Sequence, residues 1–289
     1  MIRLYKKDQP KNLTTWKWIC KNSDQQEQQQ KVLSNTKLNN LKKLYKFTHP
    51  FDTSQVYKDY LEATEKFGEF GWSSSVDASG DSSRYRGLGI TWNPNKIPFA
   101  PEHQSVLGSS DRSKFTYNTT DAPAKYPKDD HCDTLGFVQR TSVSKYKSIG
   151  TLLSNVERTL VKSRISTIYG DSPSVGIDRP YHRDASSFIG TRVNIPIETH
   201  PPYVFDLETL SAPIHLEKGF AYSWDTATLH RVISMRPCST PRTHIVINVC
   251  PWWDYDFENE CWYTNEFYGQ MHPAEMVLQG HILKGLNLV

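Results

Sequence analysis

The chain has 289 residues, with 34 Lys and Arg against 31 Asp and Glu, 37% hydrophobic and 12% aromatic side chains. That suits one large or two modest folded domains and excludes a wholly disordered chain. No apolar run approaches the roughly 20 residues of a bilayer-spanning helix, so no membrane association is expected.

The opening Met1-Ile2-Arg3-Leu4-Tyr5-Lys6-Lys7 lacks the apolar stretch of a secretory signal. Five cysteines, Cys20, Cys132, Cys238, Cys250 and Cys261, are scattered without a Cys-x-x-Cys pair. They suggest neither a disulfide framework nor a zinc knuckle, which points to a reducing cytoplasm.

Residues 1–50 carry 11 Lys and Arg against 3 Asp and Glu, a net of +8, which leaves the other 239 residues at −5. They hold no Gly and contain the tract Gln25-Gln26-Glu27-Gln28-Gln29-Gln30. Leu33, Leu38, Leu41 and Leu44 fall near helical spacing. The expectation is a basic, polar extension over residues 1–50. Its favoured role is a solvated face that maintains solubility, and an arm for nucleic acid is the less favoured reading.

From residue 51 the composition becomes globular. Tyr57–Phe67 has helical periodicity, 68–83 is turn-rich, and 84–92 reads as a strand stopped by Asn93 before a proline. Gly87 and Gly89 lack the third Gly, the Lys-Ser/Thr pair and the following helix of a phosphate loop. Residues 95–130 are rich in Pro, Ser, Asp and Lys and read as a long irregular region. A second helix is expected over 148–163. The whole of 51–149 is expected to pack on the core as an α+β portion whose loops shape the substrate site.

From Arg164 the pattern turns to short β segments: 164–169, 191–197, 203–207, 214–217, 220–224, 229–235 and 244–250. Successive strands without intervening helices predict a mainly β fold with added helices, built on a jelly-roll core over 150–260. A last helix over 274–278 belongs to a C-terminal cap, 261–289.

Within the β region lie Pro180-Tyr181-His182-Arg183-Asp184 and Trp224-Asp225-Thr226-Ala227-Thr228-Leu229-His230. On an extended segment His182 and Asp184 point the same way, because side chains alternate with period two. His230 can return through several strands to join them. Two imidazoles and a carboxylate on one face of a metal make the facial triad of non-haem Fe(II) oxygenases, and zinc in a hydrolytic site is the competitor.

In the run 242–250, Arg242, His244, Val246 and Asn248 share one face, and Thr243, Ile245, Ile247 and Val249 the other. The 191–197 strand likewise splits Arg192 and Asn194 from Val193, Ile195 and Ile197. Two arginines converging beside a metal suit a 2-oxo dicarboxylate, since guanidinium forks clamp carboxylates.

These residues resemble the 2-oxoglutarate/Fe(II)-dependent oxygenases, and among them the aspartyl/asparaginyl β-hydroxylase and proline hydroxylase branch. The resemblance covers roughly 164–257. It rests on His182-Arg183-Asp184, on Arg192-x-Asn194-x-Pro196, on Trp224-Asp225-x4-His230-Arg231-Val232, and on Arg242-x4-Ile247-Asn248-Val249-x-Pro251-Trp252. It implies a double-stranded β-helix, cupin-like, and a dioxygenase that uses Fe(II), 2-oxoglutarate and O2 and releases succinate and CO2. His182, Asp184 and His230 would hold the iron as the catalytic centre. Arg242 would bind the distal carboxylate of 2-oxoglutarate, with Arg192 assisting.

Vertebrate-type aspartyl hydroxylases lack the middle carboxylate, whereas this chain has Asp184, so a peptide aspartyl substrate does not follow. The expected substrate is an amino acid, a peptide side chain or a related small molecule. A nucleic-acid-modifying oxygenase and a non-catalytic cupin-like binding protein are the alternatives. His200, His215, His272 and His281 read as structural histidines; His244 shares the cavity face with Arg242 and could touch co-substrate, with a hydrogen-bonded core histidine the favoured reading. Trp224, Trp252 and Trp253 read as core aromatics, and Asp225 as a turn residue.

Overall fold

The computed structural model describes residues 1–36, 43–71, 85–93, 133–169, 181–234 and 238–289. Leu38, Leu41, Cys132, the irregular 95–130 and most of the turn-rich 68–83 lie outside them.

In chain order, the N-terminal part runs β1 (Arg3–Tyr5), α1 (Thr15–Lys21), α2 (Gln25–Asn35), β2 (Tyr45–Thr48), α3 (Thr53–Phe67), β3 (Phe70–Gly71), β4 (Tyr85–Gly89), β5 (Thr91–Trp92), β6 (Gln139–Arg140) and α4 (Lys147–Leu153). The strand-rich part follows as β7 (Arg164–Ile168), β8 (Thr191–Glu198), β9 (Tyr203–Leu207), β10 (Phe220–Ser223), β11 (His230–Ser234) and β12 (Arg242–Val249). It closes with β13 (Trp253–Asp256), β14 (Cys261–Thr264), α5 (Pro273–Leu278) and β15 (Asn287–Leu288).

An eight-stranded antiparallel sheet has the order β15-β2-β10-β8-β12-β7-β4-β3. A smaller sheet pairs β11 with β9 and is widened by single bridges, His182 to His230 on one side and Phe205 to Ile214 on the other. From β7 onward the chain alternates between the two layers: β7, the His182 segment, β8, β9 and the Ile214 segment, β10, β11, β12. The large layer therefore reads β7-β12-β8-β10 and the small one 182-β11-β9-214. That alternation, with both layers antiparallel, is the double-stranded β-helix, or jelly roll.

The two-residue periodicity of the central strands decides what each face does. On β12, Thr243, Ile245, Ile247 and Val249 are wholly buried on one face, as are Val193, Ile195 and Ile197 of β8. They form the main core with α3 and α4 behind the sheet. On the opposite face Arg192, Asn194, Arg242, His244 and Val246 turn toward the small sheet.

The helix α3 starts four residues earlier than its periodicity indicated, because Asp52 Oδ1 accepts from the Ser54 and Gln55 amides. It stops at Gly68, whose φ of 73° is the left-handed region that favours glycine. Its buried stripe, Thr53, Val56, Tyr60 and Ala63, packs against β8.

The expected helix 148–163 is helical only as far as Leu153. Beyond it Asn155 and Glu157 exchange backbone bonds with Lys284 and Ile282, Leu160 bridges Val249, and Val161 N–H donates to Asn248 O. Pairing with chain roughly 90 to 130 residues away overrides the local pattern. The expected strand 84–92 is split at Ile90, where the Ser163 carbonyl takes both the Ile90 and Thr91 amides and sends β5 into a separate ribbon with β6.

The N-terminal residues are built into the same body. The strand β1 pairs with β14, and β2 lies within the large sheet between β15 and β10. Trp18, Ile19 and Phe47 are buried. Trp253 Nε1–H donates to Gln25 Oε1 at 2.7 Å, and Asp133 accepts from both Thr15 N–H and Thr15 Oγ1–H at 3.0 Å. Among the described residues no helix is long and apolar enough to cross a membrane.

Candidate metal centre

His182, Asp184 and His230 come together with their ligand atoms within 4.8 Å of one another. The backbone sets this arrangement. His182 and His230 exchange both N–H···O bonds at 3.1 Å, and Asp184 N–H donates to Thr226 O at 2.9 Å. Thr226 Oγ1–H returns a bond to Ala185 O at 2.6 Å. The hairpin side of β11 is thus zipped to the 182–185 segment. Asp225 makes the turn expected of it, its carbonyl accepting from the Thr228 amide at 3.0 Å and its carboxylate from the Ala227 amide at 3.1 Å.

The donor set fits a cation. His230 Nδ1 lies 2.8 Å from the Thr228 carbonyl, so Nδ1 carries the proton and Nε2 the lone pair. That lone pair faces Asp184 Oδ2 at 3.6 Å. Two electron-rich atoms at this distance repel unless a proton or metal ion lies between them. A carbonyl holding the remote nitrogen is also the usual arrangement behind a metal-binding imidazole. Burial alone would push the Asp184 carboxyl up, but the Arg192 guanidinium paired with it outweighs burial and holds it well below the usual carboxylate range. It is therefore an anion, as a hard cation requires.

The triad opens into a small cavity of about 70 Å³ between the two sheets. Arg242 and His244 on β12, Arg192 and Asn194 on β8, and Ile168, Phe205, Val232 and Val246 all line it. Arg192 and Arg242 enter from opposite ends, since β12 sets Asn248 beside Arg192 and Arg242 beside Ile168. Asn248, expected on the cavity face, instead lies 1% exposed against Gly190.

Of the other histidines, His215 holds the Tyr203 carbonyl, His200 pairs with Glu198, His281 packs on Phe267, and His272 caps α5. Trp252 and Trp253 are core residues. Trp224 is buried as read, in a second cluster with Phe205, Leu207, Leu216 and Tyr222, and it also lines the cavity edge-on to His230, with ring centroids 5.7 Å apart. Its indole N–H and the Asn194 amide nitrogen are buried without a protein acceptor. In the sequence Trp224 stands out only as the first residue of the Trp224-Asp225-x4-His230-Arg231-Val232 motif.

A second feature the sequence left unmarked lies on the back of the small sheet. Tyr181 O–H and Arg231 Nε–H both donate to Asp206, and Arg231 stacks 4.3 Å from the Tyr181 ring. The three residues brace the strand that carries His182 and Asp184.

No protein-family profile and no curated protein matches the chain. Solved structures do. The non-heme alpha-ketoglutarate-dependent epimerase SnoN from nogalamycin biosynthesis is 11% identical, with a TM-score of 0.37 over 78% of this chain and 82% of that one. The same epimerase in complex with Fe3+, alpha-ketoglutarate and nogalamycin RO is 9% identical, with a TM-score of 0.36 over 78% and 85%. A prolyl-4-hydroxylase from Pseudomonas putida is 8% identical, with a TM-score of 0.34 over 78% and 94%. The jelly-roll assignment rests on the strand order given above.

Proposed function

We propose that the protein is a 2-oxoglutarate- and Fe(II)-dependent dioxygenase that hydroxylates an amino acid, a peptide side chain or a related small molecule. The observation that carries this reading is the convergence, in one jelly-roll cavity, of His182, Asp184 and His230 with Arg242 at the opposite end. Zinc-type hydrolytic sites also use two histidines and a carboxylate. They have no need of a buried guanidinium at the far end of the same cavity.

In this reading His182, Asp184 and His230 would hold the iron. Bound Fe(II), with 2-oxoglutarate and O2, supplies the oxidising chemistry for C–H hydroxylation, with succinate and CO2 as co-products. Arg242 takes the distal carboxylate of the co-substrate, and its 8% exposure keeps that ion pair out of bulk water. Arg192 fixes Asp184 in its anionic form and in one rotamer. Ile168, Phe205, Val232 and Val246 line the space between and exclude water.

The decisive experiment is anaerobic titration of metal-free protein with Fe(II) and then 2-oxoglutarate, followed by visible absorption. A new visible band in wild type, lost in His182→Ala and needing much more 2-oxoglutarate in Arg242→Ala, supports the reading. Bound iron with no band overturns it and favours a metal-binding protein of the same fold.

A nucleic acid substrate is a second reading. Lys17, Lys21 and Lys31 are exposed on α1 and α2, and they are what supports it.

A further inference from the structure

Arg164 opens β7, and its side chain lines the same cavity as Asp184 and Arg192. Strand pairing fixes it there. It stands between Val246 of β12 and Gly89 of β4, so one cross-strand neighbour is apolar and the other has no side chain. Neither can supply a counter-charge. Its Nη1–H reaches the Lys162 carbonyl at 3.4 Å, a long contact with a neutral group. The backbone before it is held firmly. Ser163 Oγ–H donates to the Asn248 carbonyl, the Asn248 amide donates back to that hydroxyl, and the Ser163 amide donates to Thr91 Oγ1, each at 2.9 Å. Gly87, paired with Ser166, lets β4 close on β7, because a Cβ there would overlap the Ile165 carbonyl oxygen.

Charge in the cavity is unbalanced. Its lining carries three guanidiniums, Arg164, Arg192 and Arg242, against one carboxylate, Asp184. Against the rise that burial imposes, Arg192 and also Arg164 lower the Asp184 carboxyl, so two of the three act on the same anion. A divalent ion and a dianionic co-substrate together add no net charge, so the positive surplus persists with both bound. Uncompensated charge in a small enclosed space is costly, which favours an anion as the remaining ligand. Arg192 is committed to Asp184 and Arg242 to the co-substrate, which leaves Arg164 to receive it.

Resting on the function proposed above, we infer that Arg164 is the specificity-determining residue for the primary substrate, and that this substrate is a small free carboxylic acid, a free amino acid rather than a residue within a peptide. The guanidinium fork takes the substrate carboxylate through paired N–H donors. Because Arg164 lines the cavity together with His182, Asp184 and His230, a carboxylate held there keeps the adjoining carbons in the space the metal ligands face. A cavity of about 70 Å³ suits a compact anion of this kind and not a nucleic acid backbone. A residue within a peptide has lost its α-carboxylate to the amide bond, so it leaves the positive surplus uncompensated and is discriminated against.

The test uses full-length protein loaded with Mn(II) and saturated with 2-oxoglutarate. A mixture of free L-amino acids, and in parallel the corresponding carboxamides, is added, and proton NMR follows the paramagnetic broadening of their signals. One or a few amino acids should broaden in wild type, and their carboxamides should not. Arg164→Gln should weaken binding of those amino acids about 10-fold or more, as expected for losing hydrogen bonds between charged groups. Its calorimetric affinity for 2-oxoglutarate should not change. Arg164→Lys, which keeps the charge and loses the fork, should recover part of the loss. Equal broadening of acids and carboxamides, or undiminished broadening in Arg164→Gln, would overturn the assignment while leaving the proposed reaction standing. So would the absence of broadening for every amino acid. A matching loss of 2-oxoglutarate affinity in Arg164→Gln, the mark of a merely structural residue, would overturn it as well. Failure of wild type to bind 2-oxoglutarate would overturn the co-substrate reading itself and this inference with it.

Discussion

His182 and His230 are direct cross-strand partners: each donates its N–H to the other's carbonyl at 3.1 Å, and their ring centroids lie 4.5 Å apart. The two imidazoles are thus held together by backbone bonds that no side-chain substitution removes.

His182→Ala and His230→Ala should therefore fold normally and lose metal. In wild type, a divalent ion at 100 times its Kd should raise the unfolding free energy by about 2.7 kcal/mol, the mass-action value for a ligand that binds only the folded state. In either variant that gain should fall below detection, as should retention of Fe(II) or Mn(II) on equilibrium dialysis. Undiminished metal binding in both variants would show that the cluster is not the metal centre.

Trp224 separates packing from polarity. Its ring touches Phe205, with centroids 4.4 Å apart, and His230, while its N–H lacks an acceptor. Trp224→Phe should cost only about 1 kcal/mol, since no hydrogen bond is lost and most of the ring is kept. Trp224→Ala should cost about 3 kcal/mol through the space it opens beneath β9. Urea unfolding of the two variants side by side checks this. Equal losses would mean that the indole N–H has a stabilising partner.

Parts of this architecture were legible because they depend on short-range alternation. The buried faces of β8 and β12 follow from period two. His182 and Asp184 lie two residues apart, so an extended backbone alone aligns them. What could not be read depends on distant chain. Helix α4 ends at Leu153 because Asn155 and Glu157 are recruited by residues 282–284. Phe47 is core because β2 inserts between β10 and β15, and no local pattern in a Lys-rich stretch reveals that. Trp224 looked like any buried aromatic, since its role depends on a neighbour in another strand.

His272 ties stability to pH. It is 2% exposed, and its Nδ1 accepts the Ala274 amide at the start of α5, a bond that needs the neutral ring. Burial lowers its pKa to about 4 from an ordinary 6.5. The unfolded chain thus takes up the proton first as pH falls. The stability associated with the neutral ring is complete above about pH 6.5 and is lost progressively between 6.5 and 4. Moving from pH 7 to pH 5 should cost about 2 kcal/mol through this group. His272→Asn, which can still cap the helix but does not titrate, should show a correspondingly smaller loss over that interval. The same pH slope in wild type and variant would remove His272 from the account.

The basic N-terminal residues allow a clean test of the nucleic acid reading, but not by truncation. Removing residues 1–47 would take β1 from β14, strip Trp18, Ile19 and Phe47 from the core, and leave Trp253 without its Gln25 partner. Such a chain should not fold, so its failure to bind anything would be uninformative. The triple variant Lys17→Glu, Lys21→Glu and Lys31→Glu changes only exposed side chains and should unfold within about 0.5 kcal/mol of wild type. If these helices contact phosphates, single-stranded RNA or DNA should bind wild type with a steep salt dependence, and the variant should lose both the affinity and about three contacts' worth of the salt slope. If the lysines serve only solubility, neither protein should retain oligonucleotide on a filter at 0.15 M salt. The variant, whose net charge moves from +3 to −3, should then differ from wild type only in its pH of minimum solubility.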